Sequence, residues 1–405
     1  MSDSLGGQWS RYLLCFVAGL LVAGLSGAWL RAPQRAPALP LAAGRVHPQV
    51  LGAPWGTLEA LRVPFANSEE IFADRSVRLQ AARWFFDGQT REQAAQSLRS
   101  VGLDDKQQRE IWDSRWGVST NMCLVRPSNS LIRSLNSATR AAIYAQLARD
   151  ERNYVQRFPF RFAFENFESR LVDSGLQQDT LKLLRGLIYT NQGTICFADL
   201  HVLQDVLKPD EFTNSADFLY RLPAYRVRLR VYPNSDINAL VKYWGRGGRE
   251  EKIRPMLESL AKIQDTNGTS IGIGYMLPSF ARLRLNTFPH DWGEAQAREE
   301  DCFWTSMNFF RQQPDMSFLD PVNVRKELQN NCQPVQGQPE MGDLVTVFNE
   351  RGDAIHMCVY LAEDFVFTKN GKNPLQPWVI MKIPDMLLSF AADHGPRIAV
   401  FRQKG

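Results

Sequence analysis

The chain is poor in the residues that hold metals and carry redox pairs. It has five histidines and six cysteines in 405 residues, and no two cysteines stand in a Cys-x-x-Cys pattern. This argues against structural zinc and thioredoxin-like exchange. No second His or Cys follows Asp199-Leu200-His201 at ligand spacing, so these residues are expected at a surface or a helix cap, and no metal is assigned. An excess of one charge is also missing. Forty-seven basic residues face 43 acidic ones, a formal charge of +4, which gives no case for nucleic acid. The glycines of Tyr243-Trp244-Gly245-Arg246-Gly247-Gly248-Arg249 lack the Gly-Lys-Ser/Thr ending of a phosphate loop and are read as a basic, aromatic-flanked turn. Gly268 to Gly274 lacks the strand-to-helix setting of a dinucleotide site and is read as a loop joining two units. No cofactor is assigned.

What the chain does have is enough apolar residue for real cores, at 44% hydrophobic and 11% aromatic. Its length suggests two globular units plus a terminal segment. Tyr12 to Leu30 is uncharged and bounded by Arg11 and Arg31. As a helix it would span about 28 Å, close to the hydrocarbon thickness of a bilayer. Residues 12–30 are therefore expected to form a membrane segment behind a short tail, 1–11. Ser26-Gly27-Ala28 offers a small-residue cleavage site, so the segment is either an uncleaved anchor or a signal peptide. Residues 31–56 carry Pro33, Pro37, Pro40, Pro48 and Pro54 among alanines, which predicts an extended spacer. His47 lies in it.

Residues 57–265 are expected to be mostly α-helical. Ser68 is a candidate cap for a helix carrying Ile71, Phe72, Val77, Leu79, Trp84 and Phe85 that ends at Asp87-Gly88. Thr90-Arg91-Glu92-Gln93 has the form of a capping box, opening a helix that stops at Gly102. Asp104 to Trp112, Ser137 to Arg149, Gln178 to Tyr189 and Asp199 to Leu207 read the same way. This unit shows no catalytic constellation, which leaves it a platform, a substrate-positioning element or a contact for a protein partner.

The stretch with chemistry lies in residues 266–405. Phe303, Trp304, Met307 and Phe310 fall at helical spacing behind Glu299, Glu300 and Asp301, which places Cys302 in the first turn of a helix. There the unpaired N–H groups favour a thiolate, while the carboxylates oppose it. An imidazole must supply the remaining activation, and His356 is the best placed of His47, His201, His290, His356 and His394. Leu344 to Phe348 and Ala354 to Leu361 read as antiparallel strands about the turn Asn349 to Asp353, followed by Phe365 to Asn370 and Trp378 to Ile383. A polar group on the neighbouring strand would hold the imidazole in its productive tautomer, and Asn370 is assigned that role, with Thr368 two residues earlier on the same strand face.

The order Asp-Cys at a helix start, then Gly342-Asp343-Leu344-Val345, then His356-x-x-Val359-Tyr360-Leu361 resembles the NlpC-type cell-wall peptidases, a permuted papain-like group. The resemblance covers roughly the last quarter of the chain. It implies an α+β fold with a small antiparallel sheet, Cys302 as nucleophile, His356 as base and, loosely, Asn370 as the orienting residue. Where the family has Ser-Gly after its Asp-Cys, this chain has Phe303-Trp304. The family's third polar position falls near Thr368, and its upstream tyrosine has a distant counterpart in Tyr275. Members commonly cleave amide bonds of peptidoglycan peptides, so the expectation is a membrane-anchored cysteine hydrolase, a peptidase or amidase, with its bulk on the outer face of a bacterial cell membrane. The alternative is a catalytically silent envelope-binding protein on the same fold. In an oxidising compartment Cys123, Cys196, Cys332 and Cys358 could form two disulfides, with Cys123 to Cys196 and Cys332 to Cys358 one of three pairings.

Overall fold

The computed structural model describes residues 53–65, 79, 81–119, 122–150, 152–191, 193–289, 300–371, 376–390 and 396–404. The expected span Tyr12 to Leu30, most of the proline-rich spacer and His47 lie outside them. Among the described residues no helix is long and apolar enough to cross a membrane. The fold mixes α-helices with small antiparallel sheets, divided into two compact units. One holds 53–62, Tyr225–Pro384 and the C-terminal strand; the other holds Val63–Ala224 and Asp385–Asp393.

In the first unit a three-stranded sheet has the order β1-β2-β3, with β1 at Thr57–Phe65, β2 at Leu222–Val231 and β3 at Thr269–Gly272. Between β2 and β3 lie helices α1 (Ile237–Trp244) and α2 (Glu250–Ala261). Leu240, Val241, Trp244, Ile253 and Leu257 join Leu229 and Val231 in one core. The division between units therefore falls at Ala224/Tyr225 and not at 265/266, because the apolar face of this helix pair shares its core with Ile273, Met276 and Phe280. Gly268 to Gly274 is likewise not a linker: Thr269 to Gly272 pairs with Val231 to Arg228 as a strand. The Gly245–Arg249 turn is structural. Arg249 donates to the carbonyls of Trp244 (2.7 Å), Arg246 (3.0 Å) and Met276, tying the helical hairpin down from inside.

The rest of this unit is α3 (Ser279–Arg284), α4 (Cys302–Met307), α5 (Pro321–Asn331) and the strands β4 (Cys332–Pro334), β5 (Leu344–Phe348), β6 (Ala354–Ala362), β7 (Phe365–Lys369), β8 (Trp378–Lys382) and β9 (Arg397–Gln403). They form a six-stranded sheet of order β4-β9-β5-β6-β7-β8, antiparallel throughout. Alternation along β6 sends Met357, Val359 and Leu361 into the core shared with Trp304, Met307 and Phe309 of the α4 region, and turns His356, Cys358 and Tyr360 to the other face. The turn after β5 is closed by Asn349, whose Oδ1 accepts from Asp353 N–H at 2.8 Å.

The Gly342-Asp343 pair anchors the sheet. Asp343 receives two hydrogen bonds from Arg402 of β9, at 2.8 and 2.7 Å, and caps its own turn through Glu340 N–H at 2.7 Å. Gly342 adopts φ +94°, and a Cβ there would lie 2.3 Å from two ring carbons of Phe310.

The second unit is less helical than its sequence suggests. Helices Arg91–Ser100 and Asp105–Asp113 open with full capping boxes from Thr90/Gln93 and Asp104/Gln107, and further helices span Ser137–Leu147, Gln178–Leu187 and Leu200–Val206. Two three-stranded sheets lie among them. Trp84–Asp87, expected to end a helix, is a strand paired with Met122–Arg126. Asp199 stands at the N-cap of Leu200–Val206, as expected, but its side chain makes no cap bond. It is buried, accepts from Tyr144 Oη–H at 2.7 Å and sits 3.5 Å from Arg140 Nε. All five described cysteines, Cys123, Cys196, Cys302, Cys332 and Cys358, are free thiols, so neither disulfide forms here.

The glycine at 342 yields a stability test. Gly342→Ala should lose roughly 2–4 kcal/mol, a left-handed backbone plus a steric clash. Gly371→Ala, also left-handed at φ +77° but with nothing near its Cβ, should lose only about 1–2 kcal/mol. Denaturant midpoints of the two variants measure the difference.

Candidate active site

Helix α4 is short and held at both ends. Asp301 caps it, accepting from Trp304 N–H at 2.8 Å, and Ser306 Oγ donates to the Cys302 carbonyl at 2.8 Å. Trp378 of β8 donates its indole N–H to Thr305 Oγ1 at 2.9 Å, tying the helix to the sheet. Cys302 is the first helical residue, as its sequence position predicts.

The sulfur lies beside β6. Tyr360 exchanges hydrogen bonds with the β5 side, N–H to Asp343 O at 2.8 Å and carbonyl from Gly342 N–H at 2.9 Å. Backbone groups alternate in direction along an antiparallel strand, so the N–H of Met357, three residues away, points toward β7. The β6/β7 pairs run from Val359↔Phe367 to Ala362↔Phe365 and stop short of Met357. Its N–H instead faces the Cys302 sulfur and is one of the groups that lower the thiol pKa. Cys302 thus occupies the opening between the two strands, next to the residue after His356.

His356 lies on the opposite face of this strand end. Its Nε2 lies 3.0 Å from Thr368 Oγ1 on β7, and Thr368 Oγ1 donates to Asn370 Oδ1 at 3.3 Å. An amide oxygen only accepts, so the single hydroxyl proton of Thr368 goes to Asn370. With the hydroxyl proton on Asn370, the hydroxyl accepts from His356 Nε2–H. That tautomer carries its basic lone pair on Nδ1. The structure therefore brings His356 and Thr368 together, on the face of β6 turned away from α4, with Cys302 on the other face beside Met357, and it corrects the assignment of Asn370. Thr368 is the direct partner of the imidazole, and Asn370 acts one hydrogen bond further out, orienting the hydroxyl. Tyr275 is 69% exposed and joins no part of this arrangement.

The electrostatics also differ from expectation. Burial, and then the neighbouring Asp301 carboxylate, push the Cys302 thiol up to about 12, against the opposing Met357 N–H and Lys369. The helix start does not reverse this. The helix has only six residues, and Asp301 already takes one of its terminal N–H groups. Burial pushes the His356 imidazole down to about 3. At rest the thiol and the imidazole are both neutral. Cys358, on the His356 face of β6, is pushed up by burial and by Cys302. It is a neighbour of the site.

One residue escaped the sequence reading. Lys369, at the end of β7, is fully buried on the α4 side of the sheet, opposite Trp378. Its Nζ donates to Gly371 O at 2.6 Å. A lysine at a strand end ordinarily reads as solvated, and nothing local marks this one as enclosed.

Comparison with protein families, curated proteins and solved structures found no match.

The depressed imidazole makes stability depend on pH. Above about pH 6.5 neither the folded nor the unfolded chain protonates His356. As pH falls from there toward 3, the unfolded chain takes up a proton that the folded chain refuses. Stability should fall by about 1.4 kcal/mol per pH unit, on the order of 3 kcal/mol between pH 6.5 and 4. Denaturant unfolding at pH 7, 5 and 4 should show this slope in the unaltered protein and a shallower one in His356→Gln.

Proposed function

We propose that this chain is a membrane-anchored cysteine hydrolase of amide bonds, a divergent member of the NlpC-type, permuted papain-like group, with Tyr12 to Leu30 as its anchor and cell-wall peptide at the outer face as its substrate. One observation carries the reading. The Cys302 sulfur, at the head of α4, faces the N–H of the residue next to His356, and the Thr368–Asn370 chain orients the imidazole. Because both groups rest neutral, attack and proton transfer are coupled. This step requires His356 Nδ1 to reach the sulfur round the unpaired end of β6, where it takes the thiol proton as sulfur bonds to the carbonyl carbon; the N–H groups of Cys302 and Phe303, which helical bonding leaves over, receive the developing oxyanion. His356 then returns the proton to the leaving amine as the C–N bond breaks. Water, deprotonated by His356, opens the thioester to give a carboxylic acid and regenerate the thiol. No metal or cofactor enters these steps. The unit Val63–Ala224 is assigned to contact with a protein partner, for which its exposed Tyr154, Val155 and Phe158 are suited.

A second reading draws on burial. Cys302 is 3% exposed and His356 0%, which suits a catalytically silent envelope-binding protein in which the same residues are packing.

Digestion of purified peptidoglycan with mass analysis of the fragments separates the two. The hydrolase releases new peptide termini. Cys302→Ala abolishes them, His356→Ala lowers the rate roughly 10²- to 10⁴-fold, and Thr368→Val costs more than Asn370→Ala. Retention on the cell wall with no cleavage by the unaltered protein would leave the binding reading.

A further inference from the structure

The buried strand end beneath the nucleophile carries a charge that the proton relay above does not use. Lys369 projects from β7 to the face on which α4 lies. Its strand partner Trp378 is fastened to Thr305 of that helix at 2.9 Å, and its Nζ is fixed by the Gly371 carbonyl at 2.6 Å. The ammonium is within electrostatic reach of three groups at the head of α4, namely Cys302, Asp301 and Glu300, all at least nine-tenths buried. Across the sheet, His356 and Cys358 face the opposite side.

We propose that Lys369 is the electrostatic partner of the Cys302 sulfur, a positioning residue whose buried ammonium, held by Gly371 and shared with Asp301 and Glu300, stabilises the sulfur's negative charge whenever the thiol proton leaves. The inference rests on Cys302 being the nucleophile and adds the cation that a buried thiolate requires, since His356 is neutral and leans over the other side of the opening. No bond to Lys369 forms or breaks; it remains an ammonium through attack and thioester hydrolysis. Burial, partly offset by Cys302, Asp301 and Glu300, pushes this lysine down to about 8. That value belongs to the thiol–lysine couple as a whole: the first proton lost from it leaves one positive and one negative charge, or neither.

Alkylation of Cys302 by iodoacetamide, followed by peptide mass spectrometry from pH 6 to 10, reads this couple without any hydrolytic substrate. In the unaltered protein the logarithm of the rate should climb with unit slope and flatten above about pH 8, where the ammonium–thiolate form stops growing with pH. A straight line of unit slope to pH 10 overturns the inference, whatever the variants do. Lys369→Met, close in volume, should lower the rate at pH 8 at least tenfold and remove the bend, and Lys369→Arg should stay within about threefold of the original. Folding of each is checked by circular dichroism. A folded Lys369→Met with an unchanged profile also overturns it. The outcomes separate from those of the proposed function. Peptidoglycan cleavage lost in Cys302→Ala together with an unbent alkylation profile would sink Lys369 alone, and a bent profile without cleavage would sink the hydrolase while leaving the couple intact.

Discussion

The early end of the β6/β7 ladder, which leaves a backbone N–H facing the Cys302 sulfur, is the constraint on which this site depends. Met357 N–H can face Cys302 because the β6/β7 ladder ends before reaching it, and α4 can bring the sulfur there because Asp301 and Trp378 hold the helix at its head and flank. Had the strands stayed paired one step further, the N–H would belong to β7 and the opening would close. The imidazole, the hydroxyl of Thr368 and the amide of Asn370 are arranged around that same gap, each ordered by the next. The site is the consequence of where a sheet stops pairing.

The burial that assembles these groups also silences them at rest. A thiol in the first turn of a helix is ordinarily easier to ionise, yet here the loss of water and the adjacent Asp301 outweigh a dipole of six residues. Within such an interior, transferring a proton between two neutral partners costs less than keeping a separated ion pair, unless a third charge lies close. Lys369 is that charge. A buried site therefore places its demand on proximity and hydrogen-bond order rather than on a standing thiolate.

Much of the C-terminal architecture was legible because it is local. Strands β5 to β8 follow the alternation of Leu344 to Phe348 and its successors almost residue for residue, and the Asn349 to Asp353 turn announces itself by composition. The capping boxes at Thr90 and Asp104 were equally plain, since every atom involved lies within four residues. What escaped depends on distant partners. Trp84–Asp87 became a strand because Met122–Arg126 runs beside it. Lys369 is enclosed by a helix head more than sixty residues earlier, and the direction of the Thr368 hydroxyl, which shifts the orienting role away from Asn370, is set by a hydrogen bond that no periodicity reveals.

The order of strands has an implication for how this unit is built. β9 comes after β8 in the chain, yet it lies inside the sheet between β4 and β5, clamped by the two bonds from Arg402 to Asp343. A nascent chain synthesised as far as β8 already has α4 and the residues around the sulfur but lacks the strand that joins β4 to the rest. Completion of the sheet must wait for Arg397–Gln403 to leave the ribosome. Cys302 is therefore made early and housed late, so a chain that stops at β8 does not present the finished sheet around it.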